Sequence, residues 1–193
     1  MRLVLATISR KGEIGFASFE TTDEAASWAV EQSAHTNIYT HVALHVPDRP
    51  KGKGTTETAL CLPGLVSDLD AQSPFRGSNE GKCPDVASLG LLLQDFETHY
   101  PFRLTVIESG YGMYACARFR EPLFLDDNKA RKEAEDLLRR FTEGFRVFGR
   151  QRGWPNTVDR VPLAGLMRVS GTWNLKGNPP LPVRFRERDG GAW

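Results

Sequence analysis

The strongest constraint on the fold is a stripe of apolar residues, Ala130, Ala134, Leu137, Phe141, Phe145 and Phe148, recurring at spacings of three and four between about Asn128 and Gln151. That period describes one face of a long helix, and three phenylalanines on it make the face part of a core, with the intervening Lys and Arg residues on the solvated side. Such a helix needs a sizeable partner surface. A chain of 193 residues has room for one domain or two small ones, and a single domain of that length buries about 70% of its unfolded surface. The 40% hydrophobic and 25% charged fractions are those of a globular chain and exclude wholesale disorder. No apolar run approaches the roughly 20 residues a bilayer demands. Met1 to Leu5 leads into Thr, Ser and charge instead of a signal sequence, which gives the expectation of a cytoplasmic protein without a membrane partner.

Strand patterns occupy much of the rest. Leu3 to Ser9 and Gly15 to Phe19 read as a hairpin around Arg10-Lys11-Gly12-Glu13. Thr21 with Glu24 forms a capping-box pattern, and a helix is expected to run from there to about Ala34. Ile38 to Val46 alternates as one half-buried strand, which would separate His41 from His45 by about 13 Å and exclude an ion shared between them. Pro47 to Thr58 is a loop, with Lys51 and Lys53 expected in solvent. After the apolar run Leu62 to Val66 and a polar loop from Ala71 to Cys83, Pro84 is expected in the first turn of a helix. Val86, Leu89, Leu92, Leu93 and Phe96 form its apolar stripe and Pro101 ends it. Leu104 to Glu108 and Met113 to Phe119 are further strands. The three cysteines, Cys61, Cys83 and Cys116, are odd in number and widely spaced, so neither a disulfide scaffold nor a structural zinc site is expected.

The net charge of +1 argues against a generic nucleic-acid binder, but it conceals an asymmetry. Residues 1–149 carry 17 Lys/Arg against 21 Asp/Glu, whereas residues 150–193 carry 8 against 3. Three segments have the residue types for chemistry. Asp68 and Asp70, two apart at the end of an apolar strand, point to one face; they either share a divalent cation or simply face water. Ser109-Gly110-Tyr111-Gly112 joins two strands, as a phosphate cradle of backbone N–H groups or as an ordinary hairpin turn. On the strand that follows, Tyr114 and Arg118 share a face and would line the same side of a nucleotide site. Arg168 to Lys176 crowds a guanidinium, an ammonium, two hydroxyls and an amide around Gly171, which suits a triphosphate or a nucleic-acid backbone, or else a basic surface turn.

Taken in order, these segments resemble the catalytic core of the archaeo-eukaryotic primase superfamily, in particular the primase-polymerases of plasmids, phages and mobile elements. Asn37-Ile38-Tyr39 resembles its early strand, and Leu65-Val66-Ser67-Asp68-Leu69-Asp70 its metal motif. Ser109-Gly110-Tyr111-Gly112-Met113-Tyr114 is similar to its Ser-Gly-x-Gly-x-His motif. Asp159 followed by Arg168-Val169-Ser170-Gly171-Thr172-Trp173-Asn174-Leu175-Lys176 is similar to its closing Asp and Arg-x-Pro-Gly-Thr-x-Asn-x-Lys segment. The resemblance covers about residues 37–177 and implies an α+β fold. In it, an antiparallel sheet of RNA-recognition-motif type joins a second small α/β unit, with the active site in the cleft between them. With no internal repeat and no linker before about Asn178, the simplest organisation is one catalytic domain over residues 1–177 with residues 178–193 as a basic tail.

The same resemblance implies that Asp68, Asp70 and Asp159 hold Mg2+ or Mn2+ for template-directed nucleotidyl transfer. Ser109, Gly110, Gly112 and Tyr114 would contact the nucleotide, and Arg168 and Lys176 its phosphates. The implied partners are a DNA template and primer, nucleoside triphosphates and a replicative helicase acting in trans. Two residues depart from the pattern. Ser170 replaces a Pro, which alters only the turn, and Tyr114 replaces the His. A phenol stays neutral at pH 7 and donates one hydrogen bond, where an imidazole can carry charge. The alternative expectation is therefore a primase-like module that binds nucleic acid or nucleotide with weakened catalysis or none. For the end of the chain, the alternation of Arg184, Arg186 and Arg188 with Val183, Phe185 and Glu187 reads as a strand edge or as an arm that touches phosphate.

Overall fold

The computed structural model describes residues 3–46, 54–75 and 77–186; Lys51, Lys53, Glu187 and Arg188 lie outside them. In chain order the elements are β1 (Leu3–Ile8), β2 (Ile14–Phe19), α1 (Thr22–Gln32), β3 (Asn37–His41), β4 (Leu44–His45), β5 (Ala59–Asp70), α2 (Val86–His99), β6 (Thr105–Glu108), β7 (Gly112–Phe124), α3 (Asn128–Gln151), β8 (Val158–Arg160), β9 (Leu166–Arg168), β10 (Trp173–Asn174), β11 (Leu181–Pro182) and β12 (Arg184–Arg186). They form an α+β fold with antiparallel sheets, as the motif resemblance implies.

The smaller sheet has the order β2-β1-β3-β9. Leu5 and Ile38 pack on Ala25 and Ala29 of α1 to give it a small core of its own. The predicted capping box is present: the Thr21 hydroxyl accepts from the Glu24 N–H, and the Glu24 carboxylate accepts from the Thr21 N–H. The larger sheet runs β12-β6-β7-β5-β4, with β8 beside the far end of β5. Helices α2 and α3 cover one of its faces. Phe96 of α2 stacks on Phe145 of α3 with ring centroids 4.0 Å apart, and Phe141 meets both edge-on.

Helix α3 spans the segment that the periodicity predicts, with one exchange on its buried face. Leu138 is fully buried while Leu137 is 39% exposed, so the stripe passes through Leu138. Pro84 precedes the cap of α2 and is not in its first turn; Asp85 is the N-cap and accepts from the Ser88 N–H at 2.7 Å. The segment Ile38 to Val46 is two strands, not one. The chain turns inward at Val42 and Ala43, both buried, and the Val42 N–H donates to the Gly165 carbonyl. The turn brings the His41 and His45 rings to 5.0 Å between centroids, which removes the separation expected for a continuous strand. His45 Nδ1 is 3.0 Å from the Thr58 hydroxyl, and Phe16 stacks beside His41. At the other end of the chain, the alternating arginines form a strand edge: β12 pairs with β6, and Arg184 and Arg186 both meet Glu108.

Candidate active site

Strand β5 is flanked by β7 on one side and β8 on the other, and this register assembles the acidic residues. Asp68 lies opposite Tyr114 and opposite Asp159, so the three side chains start in a row on one face of the sheet. Asp70 lies opposite Gly112. A Cβ at position 112 would clash with the Leu69 carbonyl and stand 3.2 Å from Asp70 Oδ1, which explains why the strand has a glycine beside the carboxylate. Asp68 and Asp70 line a cavity of about 320 Å³ together with Ser109, Tyr114, Arg168 and Lys176. Asn174, Ser73, Phe75 and Tyr111 complete its wall.

Not every residue singled out in the sequence lies there. Asp159 is exposed on β8 and is not part of the cavity wall, and Arg118 is exposed farther along β7. Among the described residues no three His, Cys, Asp or Glu side chains converge closely enough to hold an ion. Asp68 and Asp70 nonetheless offer carboxylate oxygens in one concavity, the donor type that hard divalent cations take. Asp70 also has a partner that the motifs do not reveal. Lys82 Nζ stands 3.3 Å from Asp70 Oδ2 and donates to the Asn156 carbonyl at 2.9 Å, and both charged side chains are about nine-tenths buried.

Arg168 is buried and held from two sides. Its Nη1 donates to Asn37 Oδ1 at 2.6 Å, and its guanidinium carbon lies 4.9 Å from the centre of the Tyr39 ring, within cation–π range. The same Asn37 oxygen accepts from the Leu175 N–H, which ties the early strand to the segment that carries Lys176. Asn174 Nδ2 donates to the Ser109 carbonyl at 2.6 Å, and Asn174 Oδ1 accepts from the Lys176 N–H. The Ser109 turn closes through its own N–H to the Gly112 carbonyl at 2.8 Å. Gly110 has φ 102°, and a Cβ there would press on Asn174 Nδ2 at 3.0 Å and on Leu181, so two independent reasons favour glycine.

Burial raises the Tyr114 hydroxyl above its ordinary pKa and the Asp68 charge adds to this, with Arg168 opposing. Tyr39 is raised by burial as well, against the pull of Arg168. Both phenols are therefore neutral hydrogen-bonding groups beside the carboxylates. Asn37 and Asn174 stand within the quoted motif segments, although their roles as ties appear only in three dimensions. Lys82 and Phe75 carried no signal beyond their residue type, and Tyr111 stands at a variable position of the Ser-Gly-x-Gly segment.

No protein-family model matches the sequence, and no curated protein matches it either. Among solved structures, the chain is similar to the AEP domain of the primase-polymerase of cyanophage S-2L. The TM-score is 0.60 at 13% identity, over 99% of this chain and 84% of that one. A second match is the polymerase domain of Mycobacterium tuberculosis ligase D in complex with DNA, with a TM-score of 0.43 at 16% identity, over 76% of this chain and 46% of that one. With two antiparallel sheets joined so that one cavity takes side chains from both, this chain has the fold of the archaeo-eukaryotic primase-polymerase domain.

Proposed function

We propose that the chain is a DNA primase-polymerase that carries out template-directed nucleotidyl transfer with Mg2+ or Mn2+. The observation that supports this most is the chemistry gathered in one cavity of a primase-polymerase fold: two carboxylates, a fixed guanidinium, an ammonium and a hydroxyl turn. Asp68, Asp70 and Asp159 would hold the divalent ions, which when bound activate the primer 3′-hydroxyl and stabilise the departing pyrophosphate. Asp159, on the strand beside Asp68, has to turn toward the pair to complete the set.

Arg168 would receive the phosphates with its orientation already set by Asn37 and Tyr39, so little side-chain entropy is left to lose on binding. Lys176 adds a second positive charge, and the Ser109 turn adds a hydroxyl and glycine N–H groups. Tyr114 replaces a charge-assisted bond with a neutral one. That substitution weakens nucleotide binding by about 1 to 2 kcal/mol. The substrates on this reading are a DNA template and primer with nucleoside triphosphates, and a replicative helicase in trans would supply the single strand.

Primer extension on a defined template, with Mg2+ or Mn2+, tests the reading. The expected result is extension that Asp68→Ala and Asp70→Ala each abolish. The neutral, buried Tyr114 favours a second reading, a module that binds nucleic acid or nucleotide without catalysis. Absence of product with either metal, together with DNA binding that survives both substitutions, would overturn the first reading in favour of the second.

A further inference from the structure

The cavity wall combines two chemistries. Asp68, Asp70, Arg168 and Lys176 bring charge to it, while Phe75 and Tyr111 bring two aromatic rings that metal or phosphate chemistry does not require. The rings meet edge to face, with centroids 5.6 Å apart and planes at 66°. Phe75 is 51% exposed, so its position is not explained by burial in the core. Its partner is fixed more firmly, because Tyr111 sits inside the closed Ser109 turn between two glycines. The chain also comes down closely on the pair. A Cβ at Gly177 would stand 2.8 Å from Tyr111 Oη and 3.3 Å from Phe75 Cε2, so the residue after Lys176 is in contact with both rings. The phosphate-facing lysine and the aromatic wall thus belong to one packed unit.

We infer that Phe75, braced by Tyr111, is the stacking surface for the base of the incoming nucleoside triphosphate, whose phosphates lie toward Arg168 and Lys176. The inference rests on the nucleotide-site reading given above and adds to it the group that holds the base. A cavity of about 320 Å³ is the size of a small-ligand site. A nucleotide carries the two chemistries this wall can receive, an anionic phosphate chain for Arg168 and Lys176 and a flat base for the rings. Stacking on a ring accepts every base, because every base has a π face, as a template-directed enzyme requires. The larger purine surfaces gain more from it than pyrimidines do.

The test is calorimetric binding of dATP, dCTP and inorganic triphosphate to the wild-type chain, Phe75→Ala and Phe75→Trp, with Mg2+ and no template. Because Phe75 is half exposed, the alanine variant is expected to fold, and circular dichroism checks that it does. Phe75→Ala should weaken dATP by about tenfold, the lower range for loss of one base stack. It should weaken dCTP less and leave inorganic triphosphate unchanged, while Phe75→Trp retains dATP binding. Unchanged dATP affinity or an equal loss for inorganic triphosphate would overturn the stacking role. Failure of the wild-type chain to bind either dATP or inorganic triphosphate would overturn the nucleotide-site reading itself, and the stacking role with it.

Discussion

Lys82 is the residue whose removal should say most about how the acidic site is held together. Its ammonium lies against Asp70 in a setting where both side chains are largely withdrawn from water. The loop that delivers it is closely tied: Gln72 N–H donates to the Cys83 carbonyl, Asn156 N–H to the Gly81 carbonyl, and Cys83 N–H to the Thr157 hydroxyl at 2.5 Å. Breaking a buried pair by removing one partner costs up to about 3 to 5 kcal/mol. Lys82→Met should therefore lower the unfolding free energy measured by urea in EDTA by up to that amount, and Mn2+ should restore more stability to the variant than it adds to the wild type. An unaltered midpoint in EDTA would mean that the ammonium does not stabilise Asp70. This residue was not legible in the sequence, because its partner is 12 positions away across an irregular loop. Asp68, Asp70 and Ser109 were legible, since each belongs to a motif whose geometry is local. The tie from Arg168 to Asn37 spans 131 positions, and only the pairing of β9 with β3 brings it about.

At the scale of elements, legibility followed how local the determining forces are. Helix α3 was readable to its ends because an apolar period and an Asp127 cap need no distant partner. The break between β3 and β4 was not, since it depends on the Val42 N–H reaching Gly165, more than a hundred residues away in sequence. The C-terminal strands are a similar case. Alternation left a strand edge and a phosphate-binding arm equally open, and the pairing of β12 with β6 answers for the strand. Val183 is buried between β11 and β12, with its N–H on the Thr172 carbonyl and its carbonyl receiving the Gly171 N–H. Leu181 packs against the Gly110 turn of the cavity. A chain ending at Gly177 should consequently lose at least the roughly 1.5 to 3 kcal/mol of one buried aliphatic side chain, together with the pairing on β6. Urea unfolding of the shortened chain measures this. A midpoint equal to that of the full chain, with only the salt dependence of DNA binding altered, would return residues 178–193 to the role of an arm.

Over the whole molecule, the near-neutral total charge conceals two separate charge systems. The acidic surplus lies in residues 1–149 and the basic surplus in residues 150–193. The fold brings Asp68 and Asp70 from β5 and Arg168 and Lys176 from the closing segment into the wall of one cavity. Around that cavity and in the core beside it, burial raises every described cysteine and two tyrosines above their ordinary pKa: Cys61, Cys83, Cys116, Tyr39 and Tyr114. Cys83 is pushed up to about 11 and Cys116 to about 12, from an ordinary 9.0. The folded chain therefore keeps protons that the unfolded chain releases once the pH passes about 9. With fewer protons on the unfolded state, stability is fully present below that pH and falls as the pH rises through the folded values. Cys83 and Cys116 should each contribute a loss on the order of 1 kcal/mol per pH unit in this window. Urea midpoints should accordingly stay level from about pH 7 to 8.5 and decline steeply by about pH 10.5. Cys116→Ala should make the decline shallower, whatever it does to the midpoint at neutral pH. A midpoint as high at about pH 10.5 as at pH 7.5 would show that these groups ionise in the folded chain as readily as in the unfolded one.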